Sequence, residues 1–566
     1  MNMKNLQKLC IVLILSILAA NINAQKTIYK PLDINNVEFS FDDFGSMWTF
    51  DAVPVKKYEE KYGFKADKEW LNHVQKSALQ FGGGCSGSFV SADGLIMTNH
   101  HCIRGKLKGI EKDGENLMRD GFYAEKLTDE RRIENQFVDQ LISIIDVTDE
   151  VLKAIAKGKT DAKKIDSKDK KINDLIKKYE KKTGLTCKVV TLYNGGKYSL
   201  YAYKRYNDIR LVMAPDLQIA ATGWDWDNFT YPRYELDFAF CRAYDENGKP
   251  VKVDNYFTWS EKGAASGEPI FIIGRPGNTD RLLSMKELEY YRDIRHPRVL
   301  NMLNDRYMKH FKIYQENSNL KNLETLFGVS NGRKAYAGML IGLNDDYIMA
   351  KKHDFENKLK AKVKADEKLN KKYGHVWDEI GSVIDKIKTD PRNNKLHKSL
   401  EVLNQKLGRL IYEVYSSQIP PDATSTLRIS DGVIKDYEYN GTIAPGKVTY
   451  YGLWNRYYSF GEKEYPWGLH DRWQKVPKGL DLSTPVGFAS TNDMVGGNSG
   501  SAVINKKGEV VGLIHDGNLE SLAGAFIFLA ENNRAVATDS WGLMEALKLV
   551  YKTDRLVNEL QNSKIK

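Results

Sequence analysis

The sequence predicts a mixed β + α protein in which a β domain is divided into two halves by a helical insertion. Three textures predict it. Short apolar runs bounded by Gly, Asn and Asp fill the early chain, apolar residues recurring every three to four positions among Lys and Glu fill the middle, and the strand pattern returns near Thr424. The 566 residues are 42% hydrophobic, 28% charged and 11% aromatic, a globular composition that excludes low-complexity, collagen-like and mainly disordered chains. At roughly 100–200 residues per domain this is chain for about two or three cores.

Lys4 and Lys8 precede an apolar run at 9–20, too short to span a bilayer, and Ala24 supplies a small residue at a cleavage position. Residues 1–24 are therefore expected to be a secretion signal, and the rest, with no second long apolar stretch, to be soluble. The first part of the β domain is expected over 25–277. It contains Ser88-Phe89-Val90-Ser91, Leu95-Ile96-Met97-Thr98, Lys188-Val189-Val190-Thr191-Leu192 and Asp237-Phe238-Ala239-Phe240, with further helices around 107–182. The helical insertion is assigned to 278–423, on helical periodicity over 282–315 and 345–417. The second β part, 424–566, contains Ala502-Val503-Ile504-Asn505 and Val510-Val511-Gly512-Leu513-Ile514 and ends in an amphipathic helix over 541–560. The net charge of +10 comes largely from Lys-rich stretches at 153–182 and 351–372, where Lys alternates with acids and apolar residues as on a solvated helix face. No nucleic-acid partner is implied.

Cys85, Cys102, Cys187 and Cys241 lie beyond the signal, in what is then an oxidising compartment. Four cysteines allow three pairings. Cys85–Cys102 is favoured because an apolar, hairpin-like stretch lies between them, and closing that loop is worth about 3 kcal/mol in the chain-entropy model; Cys187–Cys241 follows by elimination. A four-thiolate zinc site competes poorly, since no Cys-x-x-Cys pair occurs.

Gly496-Gly497-Asn498-Ser499-Gly500-Ser501 precedes an apolar strand; glycines around one Ser allow a sharp turn that exposes the hydroxyl and converges amides on an oxyanion. Thr98-Asn99-His100-His101-Cys102 offers a base, beside a cysteine expected to be bridged. A metal on His100, His101 and His515 is the alternative, but adjacent side chains on a strand point to opposite faces. Asp237 has the character of the carboxylate that orients the base, with Asp225 and Asp227 as competitors.

The segment from Phe89 to Cys102 resembles the His-bearing part of chymotrypsin-like serine peptidases, and the order His, Asp, Ser matches that fold. A closer resemblance is to the S46 dipeptidyl peptidases, types 7 and 11. It runs through Gly45-Ser46-Met47-Trp48-Thr49-Phe50-Asp51, Gly83-Gly84-Cys85-Ser86, Asp227-Asn228-Phe229, Pro232-Arg233, Leu427-Arg428-Ile429-Ser430 and Gly497-Asn498-Ser499-Gly500-Ser501.

The resemblance implies a double antiparallel β-barrel carrying His101 and Asp237 in the first barrel and Ser499 in the second, with an inserted helical cap. It implies Ser499 as nucleophile, His101 as base, Asp237 as its orienter and the Gly497 and Ser499 amides as oxyanion hole. Asn228, Asp516 and Asn331 would hold the substrate's free N-terminus, and Phe229 would line the cleft. Gly517 stands where the acid-specific branch places Arg, which implies an apolar P1 preference nearer type 7. The resemblance also implies a bacterial homodimer in the periplasm or on the cell surface, acting on oligopeptides without metal or cofactor. The insertion is shorter than is usual for the family, and Phe229 and Tyr234 replace Trp and His. An endopeptidase with a groove open at both ends, and a peptide-binding protein that no longer turns over, are the rival readings.

Overall fold

The computed structural model describes residues 33–34, 36–439, 441–460 and 466–566; the expected signal at 1–24 lies outside them. Glycines at 82–84 let the chain reverse between β1 (Ala78–Phe81) and β2 (Cys85–Phe89), which pair antiparallel with Phe81 opposite Cys85. β3 (Leu95–Thr98) returns beside β2. All four β3 residues are buried, because the strand has core on both faces. β4 (Val138–Asp146), β5 (Thr186–Leu192) and β6 (Lys197–Tyr206) extend one side of this sheet; β7 (Asp208–Ala214) and β8 (Ala239–Tyr244) extend the other. The order is β7-β8-β3-β2-β1-β4-β6-β5, with the short pairs Phe122–Tyr123 and Arg131–Arg132 added on β7.

The second sheet runs β10-β9-β13-β14-β15-β12-β11, from β9 (Pro269–Gly274), β10 (Arg428–Val433), β11 (Lys447–Thr449), β12 (Pro485–Ser490), β13 (Ala502–Asn505), β14 (Glu509–Gly517) and β15 (Ala535–Asp539). β9, although N-terminal to the helical insertion, pairs only with strands that follow it.

Two expectations are corrected. The sheets, of ten and eight strands, remain open among the described residues instead of closing into barrels. At the β5 end of the first sheet the helix Asp161–Thr183 packs on the face of β5 and β6, its Leu175 against Cys187, Tyr198 and Leu200, and β5 and β7 stand at opposite ends of the strand order. Cys85 and Cys102 are bonded, with Cα atoms 6.1 Å apart, but Cys187 and Cys241 are free and buried. Cys187 lies on β5 and Cys241 on β8, six strands apart in sheet order and in separate apolar clusters, far outside disulfide reach.

The insertion is helical from Met285 to Tyr415, including α3 (His296–Glu316) and α4 (Leu320–Leu343). Helical periodicity did not pick out α4, which contains Gly328, Gly332, Gly338 and Gly342, residues that lower helix propensity. Packing explains two of them: a Cβ on Gly338 would meet Leu522 at 2.2 Å, and one on Gly342 would meet Ala523 at 2.7 Å. The C-terminal segment is also broken, at Lys552, whose φ of +53° interrupts the helix. Half-buried Tyr551 just before it bonds Trp473 and Asp216. No described helix is long and apolar enough to cross a membrane.

Candidate active site

The site lies in the seam between the sheets, and the Ser499 turn is held there by main-chain bonds. Ser86 on β2 donates its amide to the Ser499 carbonyl (2.8 Å) and its hydroxyl to the Gly497 carbonyl (3.0 Å), while that hydroxyl accepts from Arg275 N (2.8 Å). Gly500 has φ of +87°, and a Cβ there would lie 2.1 Å from the Ser86 carbonyl; only glycine admits this approach. Asn498, Gly500 and Ser501 donate their amides to Val495, Ile514 and Asn498. Among the described residues the Gly497 and Ser499 amides have no acceptor, and both residues are partly exposed. Two unspent donors on either side of Asn498 form the arrangement an oxyanion requires.

β3 leads into α1 (His100–Leu107), which begins after Asn99. Asn99 donates its side-chain amide to the Asp237 carbonyl (2.6 Å) and so fixes the segment before β8. Asp237 accepts the His101 amide on Oδ1 (3.0 Å) and closes on His101 Nδ1 with Oδ2, so one carboxylate sets both the helix start and the ring. Burial opposes the charge on Asp237, but the charge and hydrogen bond of His101 outweigh it and hold the carboxyl well below its usual range. Nδ1 engaged with Asp237 leaves Nε2 as the nitrogen of the partly exposed ring that Asp237 does not occupy. The Ser499 hydroxyl makes no hydrogen bond to a described residue, His101 included. The two are nonetheless neighbours, since Cys102 Sγ lies 3.8 Å from the Ser499 carbonyl.

His100 points into the core: it is fully buried, neither ring nitrogen has a partner, and burial lowers its pKa to about 3. Cys85, His101 and Cys102 are the only described grouping with metal-ligand spacing, and the bonded sulfurs offer no thiolate. His515 faces Glu235, with Nδ1 2.7 Å from Oε1. Among the described residues the three histidines do not come together as one set of metal ligands.

The proposed substrate-amine residues also come together. Asn228, at the end of the short helix α2 (Trp224–Asp227), donates its side-chain amide to Asn331 Oδ1 on α4 (3.1 Å). Phe229, next along and with φ of +57°, donates its amide to Asp516 Oδ2 (2.8 Å) at the end of β14. Asp225 and Asp227, the competitors of Asp237, belong to this corner and not to the histidine.

Sequence reasoning missed the charges behind it. Arg233 bridges Asp516 (2.7 Å), Glu235 (2.8 Å) and the Asp227 carbonyl, all buried. The signal was present: Arg233, Glu235 and Asp237 alternate with Tyr234, Leu236 and Phe238, which places three charges on one face of an extended segment. Gly517 follows Asp516 on β14. A Cβ there would meet Ser521 Oγ at 2.4 Å and Met494 Sδ at 3.5 Å, with no cation among its nearest atoms.

A His–Asp pair, a serine on a glycine turn and two free amides, on two sheets joined along one seam, define a serine-type peptidase. The chain belongs to the peptidase S46 family, whose pattern it matches over residues 42–394 and 385–562. Dipeptidyl-peptidase 7 of Porphyromonas endodontalis is 24% identical over 91% of this chain and 83% of its own length. The Asp/Glu-specific dipeptidyl-peptidase of Shewanella putrefaciens is 30% identical over 51% of this chain and 41% of its own. The crystal structure of Porphyromonas endodontalis DPP11 with the dipeptide Arg-Glu superposes with a TM-score of 0.80 at 19% identity, covering 91% of this chain and 99% of that one.

Proposed function

We propose that the protein releases dipeptides from the free N-termini of oligopeptides, with an uncharged, preferably apolar P1 residue. The meeting of buried Asn228 and Asp516 with the exposed Asn331 in one corner carries this reading. Arg233 is shared between Asp516 and Glu235, so one guanidinium faces two carboxylates and the corner keeps negative charge for an ammonium. A clamped amine allows only the second peptide bond to reach Ser499.

Ser499 Oγ attacks that carbonyl while His101 Nε2 takes its proton, and Asp237 stabilises the imidazolium. The oxyanion is received by the Gly497 and Ser499 amides. His101 then protonates the leaving amine, and water hydrolyses the acyl-enzyme by the same path.

The relatives are named for both general and Asp/Glu-specific activity, so the P1 preference rests on Gly517. Burying an unpaired carboxylate costs several kcal/mol, whereas burying a Leu side chain gains about 1.5–3 kcal/mol. Gly517→Arg combined with Ser521→Ala, which vacates the space the new side chain needs, is expected to move preference toward Glu. The leader-like residues 1–24 and the Cys85–Cys102 disulfide support a periplasmic or cell-surface location, and the family resemblance supports a homodimer.

The test is mass spectrometry of products from one peptide with Leu or Glu at position two, with a free or acetylated N-terminus, and with Ser499→Ala as control. Dipeptide from the free Leu peptide, absent in the control, is the expected result. Internal cleavage of the acetylated form would replace the reading with an endopeptidase, faster release from the Glu peptide would overturn the P1 assignment, and no cleavage at all would favour a binding protein.

A further inference from the structure

One face of α4 closes on the segment that carries Asn228. Phe327, Ser330, Asn331 and Lys334 recur at helical spacing, and each touches Trp224–Asn228. Phe327 packs on the Trp224 ring with centroids 4.4 Å apart. Ser330 donates to Asp225, whose other carboxylate oxygen accepts from Tyr307 on α3 (2.8 Å). Asn331 takes the Asn228 amide. Lys334 donates to the main-chain carbonyls of Asp225 and Asn228, the latter at 3.1 Å.

Asp225 and Lys334 thus grip both ends of the stretch from Asp225 to Asn228 from behind Asn228, Asn331 and Asp516, the three residues proposed to meet the amine. The Asn228 carbonyl and the Phe229 amide belong to one planar peptide group, so fixing the first also aims the second at Asp516. The two contacts that define the corner, Asn228 with Asn331 and Phe229 with Asp516, therefore share one support. Burial presses the Lys334 ammonium toward its neutral form, and Asp225 opposes that pressure, as in a cation held for its bonds to the protein.

We propose that Lys334 and Asp225 are positioning residues for the substrate ammonium: acting through the 225–229 segment, they hold Asn228 at the spacing from Asn331 and Asp516 that an amine bridges. This rests on the dipeptidyl-peptidase reading above. Charge-assisted bonds of this kind make an affinity change of about tenfold the expected scale.

The test uses the full chain with Ser499→Ala and calorimetric titration of Val-Leu and of N-acetyl-Val-Leu. Adding Lys334→Met is expected to weaken Val-Leu about tenfold while N-acetyl-Val-Leu changes little, and Lys334→Arg is expected to restore most of the loss. In parallel, with Ser499 intact, its labelling by a small fluorophosphonate, which has no amine to clamp, is expected to stay within about threefold in Lys334→Met. Should that variant not fold, Asp225→Asn, which preserves shape, is expected to lower Val-Leu affinity alone by about threefold. Unchanged Val-Leu affinity, or a parallel fall in labelling, overturns the inference. If the parent itself binds both ligands alike, the amine corner fails and the inference with it; discrimination in the parent that survives Lys334→Met defeats the inference alone.

Discussion

The two walls of the cleft are held in opposite ways. The Ser499 wall is main chain against main chain: Ser86 on Ser499, Gly500 on Ile514, with a glycine where a methyl group would collide. The amine wall is side chain against side chain, with Asn228, Arg233, Asn331, Lys334 and Asp516 drawn from the first β part, the helical insertion and the end of β14. Main-chain bonds fix the Ser499 turn, with His101 set beside it by the Asp237 carboxylate, whereas a wall of charges changes with every substitution. On the proposed reading the chemistry falls to the rigid wall, and the grip on the substrate's amine to the adjustable one.

The largest expected effect lies on the rigid wall. Asp237→Asn loses both the charge on His101 and the acceptor that sets its tautomer, and is expected to lower kcat by about 10⁴. Fluorophosphonate labelling should fall with it. A loss below about tenfold would mean that His101 is oriented by something other than Asp237.

Next comes the disulfide, which ties β2 to the helix carrying His101. Cys85→Ala with Cys102→Ala is expected to lower unfolding free energy by about 3 kcal/mol, read from urea denaturation. Cys187→Ala removes no cross-link, and an equal loss there would show that the bond contributes nothing beyond packing.

On the adjustable wall, Asp516→Asn is expected to reduce kcat/KM for free-amine peptides by about a hundredfold while leaving Ser499 labelling within about threefold. A parallel loss of labelling would abolish the separation between the walls.

The unequal legibility of the walls in the sequence has the same origin. The Ser499 turn is contiguous, so its glycines announced a φ that side chains rarely adopt, and His101 stood beside a cysteine whose bridge the spacing suggested. Strand and helix textures located both sheets and most of the insertion. What could not be read was long-range pairing. Nothing local separates two cysteines that share a sheet from two that share a bond, or an open ten-stranded sheet from a barrel. α4 was hidden because it contains four glycines, two of which, Gly338 and Gly342, serve a close approach to Leu522 and Ala523, residues some 180 positions away. The amine wall was read only through family resemblance: Asn228 next to a turn and Asp516 before a glycine are ordinary loop chemistry until the fold joins them.

The smallest effect tests how dry the rigid wall is. His100 is enclosed with no partner, and its pKa is pushed down to about 3 chiefly by burial, with Asp237 pulling the other way. An unfolded histidine titrates near ~6.5, so between about pH 6.5 and 3 the unfolded chain takes up a proton that the folded chain refuses, and stability falls with pH by up to about 1.4 kcal/mol per unit. Asp237 acts in the same sense but in a lower window: its pKa is lowered in the fold, so its contribution is intact above the unfolded value near ~3.9 and is lost only as pH falls below it. The two windows separate above about pH 4.5. Urea midpoints of His100→Phe and the parent between pH 6.5 and 4.5 should therefore diverge, the variant losing stability less steeply. Parallel slopes would mean that His100 accepts its proton in the folded state. Water or a shifted carboxylate would then have to reach the ring, and the wall behind His101 would be as adjustable as the one opposite.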